Sequence, residues 1–270
     1  MAAPDRGHTP KLQATGIRHR YPAGDRSASG VIALDGVDLD VAAGEFVSIV
    51  GPSGCGKSTL LDILAGLTAP TAGEIRMDGA DPGRLLGAVG YMPQKDLLMP
   101  WRTVLDNTTI GLELAGVSRR EARDRARAEL QRFGLAGFED RWPHRLSGGM
   151  RQRAALLRTF LAGREVMLLD EPFGALDALT RQDMQAWLLD IWSQDRKTIV
   201  LVTHDVDEAI RTSDRVYVMS PRPGRMVLSV EIDLPRPRPA DLQLTDHYVA
   251  LKRRLLEPLL GAPTELDEAR

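Results

Sequence analysis

The chain has 270 residues, 43% hydrophobic and 27% charged, a balance ordinary for a globular protein and enough for one large domain or two small ones. A net charge of −2 supplies no basic excess for a nucleic-acid partner, and no apolar run approaches the roughly 20 residues that a membrane-spanning helix needs. The single cysteine, Cys55, excludes an intrachain disulfide, and the opening residues lack the apolar segment of a secretory leader, so the composition points to the cytoplasm.

In chain order, residues 1–10 read as a disordered tail. Lys11 to Tyr21 and Val31 to Val41 read as strands, separated by a polar loop over 22–30. Glu45 to Val50 is a short apolar run of the kind found in buried parallel strands. Gly51-Pro-Ser-Gly-Cys-Gly-Lys-Ser-Thr59 follows and matches G-x-x-x-x-G-K-[ST]. After it, Leu60 to Ala65 reads as a mostly apolar helix stopped at Gly66. Strand, glycine loop and helix in that order make a phosphate-binding loop: backbone N–H groups form an anion nest and the helix adds its positive end. Lys57 supplies a point charge for the β- and γ-phosphates, and the Ser58 hydroxyl is positioned to hold Mg²⁺. The motif predicts binding of a nucleoside triphosphate.

Gly73 to Asp78 predicts a short strand and turn, and Val89 to Met92 another strand leading to Gln94. From Thr103, a candidate N-cap, to about Arg132 the pattern is helical. Within it Ser118 and Glu121 have capping-box spacing, and Ala122, Ala126, Leu130 and Phe133 mark one face. The Arg and Glu residues between them read as a solvated face. A second helix follows Ser147 and runs to about Ala162. Val166 to Asp170 and Thr198 to Thr203 read as buried strands, with a helix between them marked by Met184, Leu188 and Ile191. Asp205 and Glu208 open a short helix. Arg215–Met219 and Arg225–Ile232 predict a hairpin, Pro235 to Pro239 a stiff linker, and Tyr248, Leu251, Leu255 and Leu259 a final amphipathic helix before a charged tail. Strands alternating with helices predict an α/β core with a parallel sheet.

The remaining chemistry clusters at strand ends. Asp170 closes a buried strand, where it can hold the shell of a Mg²⁺ ion, and Glu171 can act as general base on a water. His204, directly after a strand, can hold the γ-phosphate and attacking water in line. Leu146-Ser-Gly-Gly-Met150 opens a helix, giving a second anion-binding N-terminus across the helical segment from the first. Two such half-sites in one chain point to completion by a second copy. Cys55 lies at a helix start, where a thiolate is favoured, but the preferred reading is a small residue tolerated in the loop with no catalytic role; a thiol-alkylating reagent is still expected to inactivate the protein and ATP to protect it.

On these motifs the chain resembles the ATP-binding subunit of ABC transporters from about residue 12 to 234. The resemblance implies an α/β fold: a P-loop NTPase core with an N-terminal antiparallel β subdomain and a helical insertion at about 103–145. It implies a domain over 11–234, followed by a linker, C-terminal helix and charged tail over 235–270. ATP is then bound by Tyr21, stacked on adenine, and by Gly51, Pro52, Ser53, Gly54, Cys55, Gly56, Lys57, Ser58 and Thr59 of Walker A. Ser147, Gly148, Gly149 and Met150 are the signature that meets the second copy's ATP, with Met150 in place of the usual glutamine. Asp170 and Glu171 are Walker B and the catalytic glutamate, Asp177 the D-loop aspartate and His204 the switch histidine. Gln94 is the Q-loop glutamine, a Mg²⁺ ligand beside Ser58 and Asp170 and a link to the membrane subunit.

Leu98 to Asn107, Leu146 to Arg153, Phe173 to Arg181 and Ser220-Pro-Arg-Pro-Gly224 narrow the resemblance to importers of the nitrate, sulfonate and taurine type, including those for thiamine-precursor pyrimidines. The implied cofactors are ATP and Mg²⁺. The implied partners are a second copy, head to tail, transmembrane permease subunits and, indirectly, an extracytoplasmic solute-binding protein. The place is the inner face of the cell membrane. The rival readings are a non-transport ABC ATPase and an exporter subunit. Against the first stand the lack of a long heptad segment and of spare cysteines, and a single cassette. Against the second stand the lack of a fused membrane domain and the finer resemblance.

Overall fold

The computed structural model describes residues 9–22 and 30–260. Most of the expected N-terminal tail, the middle of the polar loop and the charged C-terminal end lie outside the described residues. In chain order the elements are β1 (Leu12–Tyr21), β2 (Val31–Val41), β3 (Phe46–Val50), α1 (Lys57–Leu64), β4 (Ala72–Met77), β5 (Gly90–Met92), α2 (Val104–Thr108), α3 (Ile110–Leu114) and α4 (Arg119–Leu130). They continue with α5 (Gly148–Leu161), β6 (Val166–Asp170), α6 (Ala178–Asp195), β7 (Thr198–Thr203), α7 (Val206–Thr212), β8 (Arg215–Met219), β9 (Met226–Glu231) and α8 (Asp246–Leu260). The chain forms two compact units, one of residues up to Leu86 and from Thr198 onward, the other Gly87–Lys197.

The first unit holds two sheets. In one, β1 lies between β2 and β4 and is antiparallel to both, as expected for the N-terminal β subdomain. The other runs β7-β3-β8-β9, with β7 and β8 parallel to β3 and β9 antiparallel. Every residue of β3, β7 and β8 is buried, which explains their unbroken apolar runs: a central parallel strand is covered on both faces. Arg215, at the start of β8, makes a two-pronged ion pair with Glu45, just before β3, at 3.0 and 2.7 Å. Each glycine-loop or histidine motif of this unit therefore leaves a rigid strand end.

The C-terminal helix is part of this unit's core. Tyr248, Leu251 and Leu255 of α8 pack into a buried cluster with Val206, Ile210, Val218 and Val230. Each such fully buried side chain contributes about 2 kcal/mol. Asp207 of α7 accepts from Tyr248 Oη at 3.0 Å and from Lys252 Nζ at 2.7 Å, locking the helices together. The segment read as a stiff linker is no free spacer. Arg238 within it is buried and donates to the carbonyls of Ile210 and Ser213, both at 2.6 Å, and of Ile232 and Leu234, at 3.1 and 3.0 Å.

In the second unit β5 and β6 pair in parallel. The helical stretch expected from Thr103 to Arg132 is broken into α2, α3 and α4. The last break is chemical: Gly116 takes φ +84°, and Val117 N–H reaches back to Leu112 O at 3.0 Å, closing α3 with a left-handed glycine turn. Ser118 then caps α4 by accepting from Glu121 N–H, and Ala122, Ala126, Leu130 and Phe133 are all buried, as their spacing predicts. Its polar face is not wholly solvated. Arg123 grips Asp106 of α2 at 2.7 and 2.9 Å. Burial alone would raise the Asp106 pKa, but Arg123 and Arg119 outweigh it and hold the carboxyl below its usual range.

Candidate active site

The glycine loop bridges β3 and α1, as its flanks predict. Gly56 takes φ +109°, and a Cβ there would stand 2.7 Å from Leu34 Cδ2 and 3.0 Å from Ala33 O, so no other residue fits. Lys57 is 5% exposed and donates to Gly51 O at 2.8 Å and Pro52 O at 2.9 Å, so its ammonium already lies over the loop. Ser58 is exposed in the first turn of α1. The Tyr21 hydroxyl lies 3.1 Å from Thr59 Oγ1, and its ring meets His19 edge-on. At 42% exposure Tyr21 is not a core tyrosine. His204 is exposed and follows Thr203, which pairs with Val50 across β7 and β3. The histidine and the glycine loop thus leave neighbouring strands at the same level, which the sequence did not reveal.

Cys55 departs from expectation. It is 1% exposed, and burial raises its thiol pKa above the ordinary value although Lys57, with Nζ 3.8 Å from Sγ, pulls the other way. The helix end does not make a reactive thiolate, because desolvation outweighs it. Maleimide at pH 7 is expected to label the native protein at least about tenfold more slowly than the guanidinium-unfolded chain, with ATP making little difference. Stoichiometric labelling of native protein within minutes would show the thiol to be accessible and restore ATP protection as a question.

The second unit brings together Gln94, after β5, and the end of β6. Asp170 is buried at 3% exposure, and Glu171 follows with φ +45°, a left-handed conformation that a residue with a Cβ adopts at a cost of about 1 kcal/mol or more. Gln94 Nε2 donates to Glu171 Oε2 at 3.1 Å. The carboxylate is therefore aimed by both its backbone and a neighbouring amide, a geometry suited to a general base acting on a fixed water. Ser147 caps α5 by accepting from Met150 N–H at 3.3 Å, leaving Gly148 and Gly149 at the helix start. Gly149 abuts Thr180 of α6, whose backbone and hydroxyl donate to Asp177 at 3.0 and 2.6 Å. Those bonds hold the Asp177 carboxyl below its usual range.

Sequence reasoning missed two supports of this unit. Arg158 of α5 donates to Leu97 O and Asp96 O, both at 2.7 Å, while Arg151 pairs with the Asp96 carboxylate at 3.2 Å, so α5 grips the segment after Gln94. Asn107 is fully buried, donates to three carbonyls of the loop 99–103 and accepts from Met99 N–H at 2.7 Å. Asn107 stands among the polar residues Asp106, Thr108 and Thr109, so no local pattern marked it as buried.

Residues 34–174 match the ABC transporter family. The chain belongs to that family. It is 46% identical to the aliphatic sulfonates import ATP-binding protein of Mesorhizobium japonicum over 224 residues, 83% of this chain and 80% of that one. It is likewise 46% identical to the taurine import ATP-binding protein of Rhizobium johnstonii over 206 residues, 76% and 79% of the two chains. Its fold matches, with a TM-score of 0.72 and 32% sequence identity, a dimeric structure of a bacterial ABC transporter cassette, covering 83% of this chain and all of that one. The same coverage and identity, with a TM-score of 0.71, relate it to a dimeric cassette in a post-hydrolysis state bound to ADP and Pi. This ABC transporter protein is the ATP-binding subunit and an ATPase, and its α/β cassette fold is the one expected.

Proposed function

We propose that this ABC ATPase subunit powers import of a small sulfonate or taurine-like solute through ATP-driven closure and opening of a head-to-tail dimer. The observation that carries the reading is the Gln94–Glu171 pair at the end of β6, in a chain that also holds a complete phosphate loop. The names of the sulfonate and taurine relatives support the solute class. The ATP-binding domain is taken as 11–234, with the helical insertion at 103–145 and α8 packed onto its core, and no helix among the described residues is long and apolar enough to cross a membrane. The subunit acts at the cytoplasmic face of the membrane, on permease subunits fed by an extracytoplasmic solute-binding protein.

Tyr21 stacks on adenine. Residues Gly51 to Thr59 cradle the phosphates, and Lys57 exchanges its loop carbonyls for the β- and γ-phosphates. Ser58, Gln94 and Asp170 offer only oxygen donors with one carboxylate, a set that fits Mg²⁺ held largely by nucleotide and water. Bound there, Mg²⁺ neutralises charge on the phosphates. Glu171 takes a proton from the attacking water, Gln94 orients Glu171, and His204 holds the water in line. Ser147, Gly148 and Gly149 of the second copy close over the γ-phosphate, with Met150 beside them and Asp177 near the dimer seam. Hydrolysis removes that shared ligand and the dimer opens.

Near Gln94, Leu97 and Trp101 are 60% and 70% exposed while Leu98 is turned inward, and Asn107 stiffens the loop that carries Trp101. These apolar side chains receive a cytoplasmic helix of the permease. The first test is light scattering of a Glu171→Gln variant after size exclusion. With ATP it is expected to run as a dimer and without ATP as a monomer. A monomer that binds ATP stoichiometrically would sink the sandwich.

A further inference from the structure

The turn between β8 and β9, Ser220-Pro-Arg-Pro-Gly224, carried part of the finer resemblance but no role. In the structure it backs onto the glycine loop. Arg222 donates to Gly54 O from Nε at 3.2 Å and from Nη2 at 3.1 Å. Gly224 comes so close to the loop that a Cβ on it would stand 2.2 Å from Cys55 O. The turn is itself anchored. Gly224 N–H donates to Ala33 O at 2.9 Å and Gly224 O accepts from Asp35 N–H at 3.0 Å, tying it to β2. Ser220 Oγ accepts from Arg225 N–H at 3.0 Å, closing the turn, and Arg225 pairs with Asp35.

We propose that Arg222 is a positioning residue for nucleotide binding: its guanidinium grips the Gly54 carbonyl and preorganises the phosphate loop. The physical reason lies in peptide planarity. A peptide whose C=O is held on one side presents its N–H on the other. The Gly54 carbonyl, held from the β8–β9 turn, fixes the plane of the Gly54–Cys55 peptide, whose N–H turns the other way to Pro52 O at 3.3 Å, and so holds this part of the loop in one conformation before a nucleotide arrives. Gly54, at φ +75°, has no side chain to stiffen its own link, so the clamp must come from elsewhere. Arginine suits the task because one planar fork delivers two donors to one oxygen, and a charged donor makes the stronger bonds. Arg222 is exposed, so its contribution is to loop order rather than to the core.

The inference rests on the phosphate-loop reading, and its test separates the two. Arg222→Met keeps the length without donors, and Arg222→Lys keeps the charge without the fork. With MgATP, Arg222→Met is expected to raise Kd about five- to tenfold, to leave kcat at saturation within about twofold, and to move Tm by less than about 2 °C. Arg222→Lys is expected to fall between it and the unaltered protein. Without nucleotide, hydrogen exchange over residues 51–59 should quicken in Arg222→Met. Unchanged exchange together with a Kd within twofold would overturn the proposal, and so would full recovery in Arg222→Lys, since charge alone would then suffice. Lys57→Ala runs alongside. If it binds MgATP normally, the phosphate-loop reading fails, while the exchange measurement still decides the Arg222 clamp.

Discussion

Replacing Glu171 by glutamine is expected to lower steady-state ATP turnover at least about 100-fold, the usual size of a lost general base, while leaving MgATP affinity within about threefold. Glutamine has nearly the shape of glutamate and still offers an amide oxygen to Gln94 Nε2, so the 3.1 Å bond survives. What disappears is the basic oxygen. The left-handed backbone at Glu171, φ +45°, is indifferent to the change, and the fold is expected to hold. Turnover measured by phosphate release, with binding measured separately by fluorescent nucleotide, decides the matter. Turnover within threefold of the unaltered protein would move the base elsewhere. A parallel loss of affinity would mean that Glu171 serves binding rather than proton transfer.

Arg238→Ala should be the most damaging single change to stability outside the apolar core. Arg238 is 8% exposed, and its guanidinium reaches five carbonyls, of Ile210, Ser213, Ile232 and Leu234 and, at 3.5 Å, of Arg211. Ile210 lies in the last turn of α7, whose terminal carbonyls have no partner within the helix, so the side chain acts as a buried C-terminal cap. Burial and the adjacent Arg236 pull its pKa down to about 10, which still leaves it protonated at neutral pH. Alanine strands several buried carbonyls at about 1–3 kcal/mol each, of which relaxation and water recover part; about 3 kcal/mol of net loss is expected. For a chain of this size that lowers Tm by about 6–12 °C. Calorimetry of Arg238→Ala and Arg238→Lys tests it, with lysine expected to recover less than half because one ammonium cannot span these oxygens. A shift under 2 °C for the alanine variant would show the carbonyls to be satisfied by water. Turnover per folded molecule at 25 °C should stay near normal, since Arg238 touches no residue of the glycine loop.

Glu171 and Arg238 act at different levels of the molecule. Glu171 could be named from its neighbours in the chain, because a carboxylate after Val166–Asp170 carries its meaning in contiguous residues. The same holds for Gly51 to Thr59, for the Ser147 helix start and for the capped helices at Ser118 and Asp205: turn chemistry, caps and periodicity act over a few residues. Fold class and family followed from these local units and their order.

The tertiary structure alone decided the rest, because burial and long-range hydrogen bonds depend on which distant segments meet. The helix-start position of Cys55 predicts alkylation with ATP protection, whereas packing buries the thiol and desolvation raises its pKa. The proline-rich segment looked like a spacer until Arg238 found carbonyls of α7. Arg222 meets Gly54 across 168 residues of sequence, and no local pattern encodes that distance. By itself the sequence determined an ATP-hydrolysing cassette of an ABC transporter. What holds its glycine loop, caps α7 and seals its thiol was settled by three-dimensional contact, where the free energy of a side chain depends on what surrounds it rather than on what precedes it.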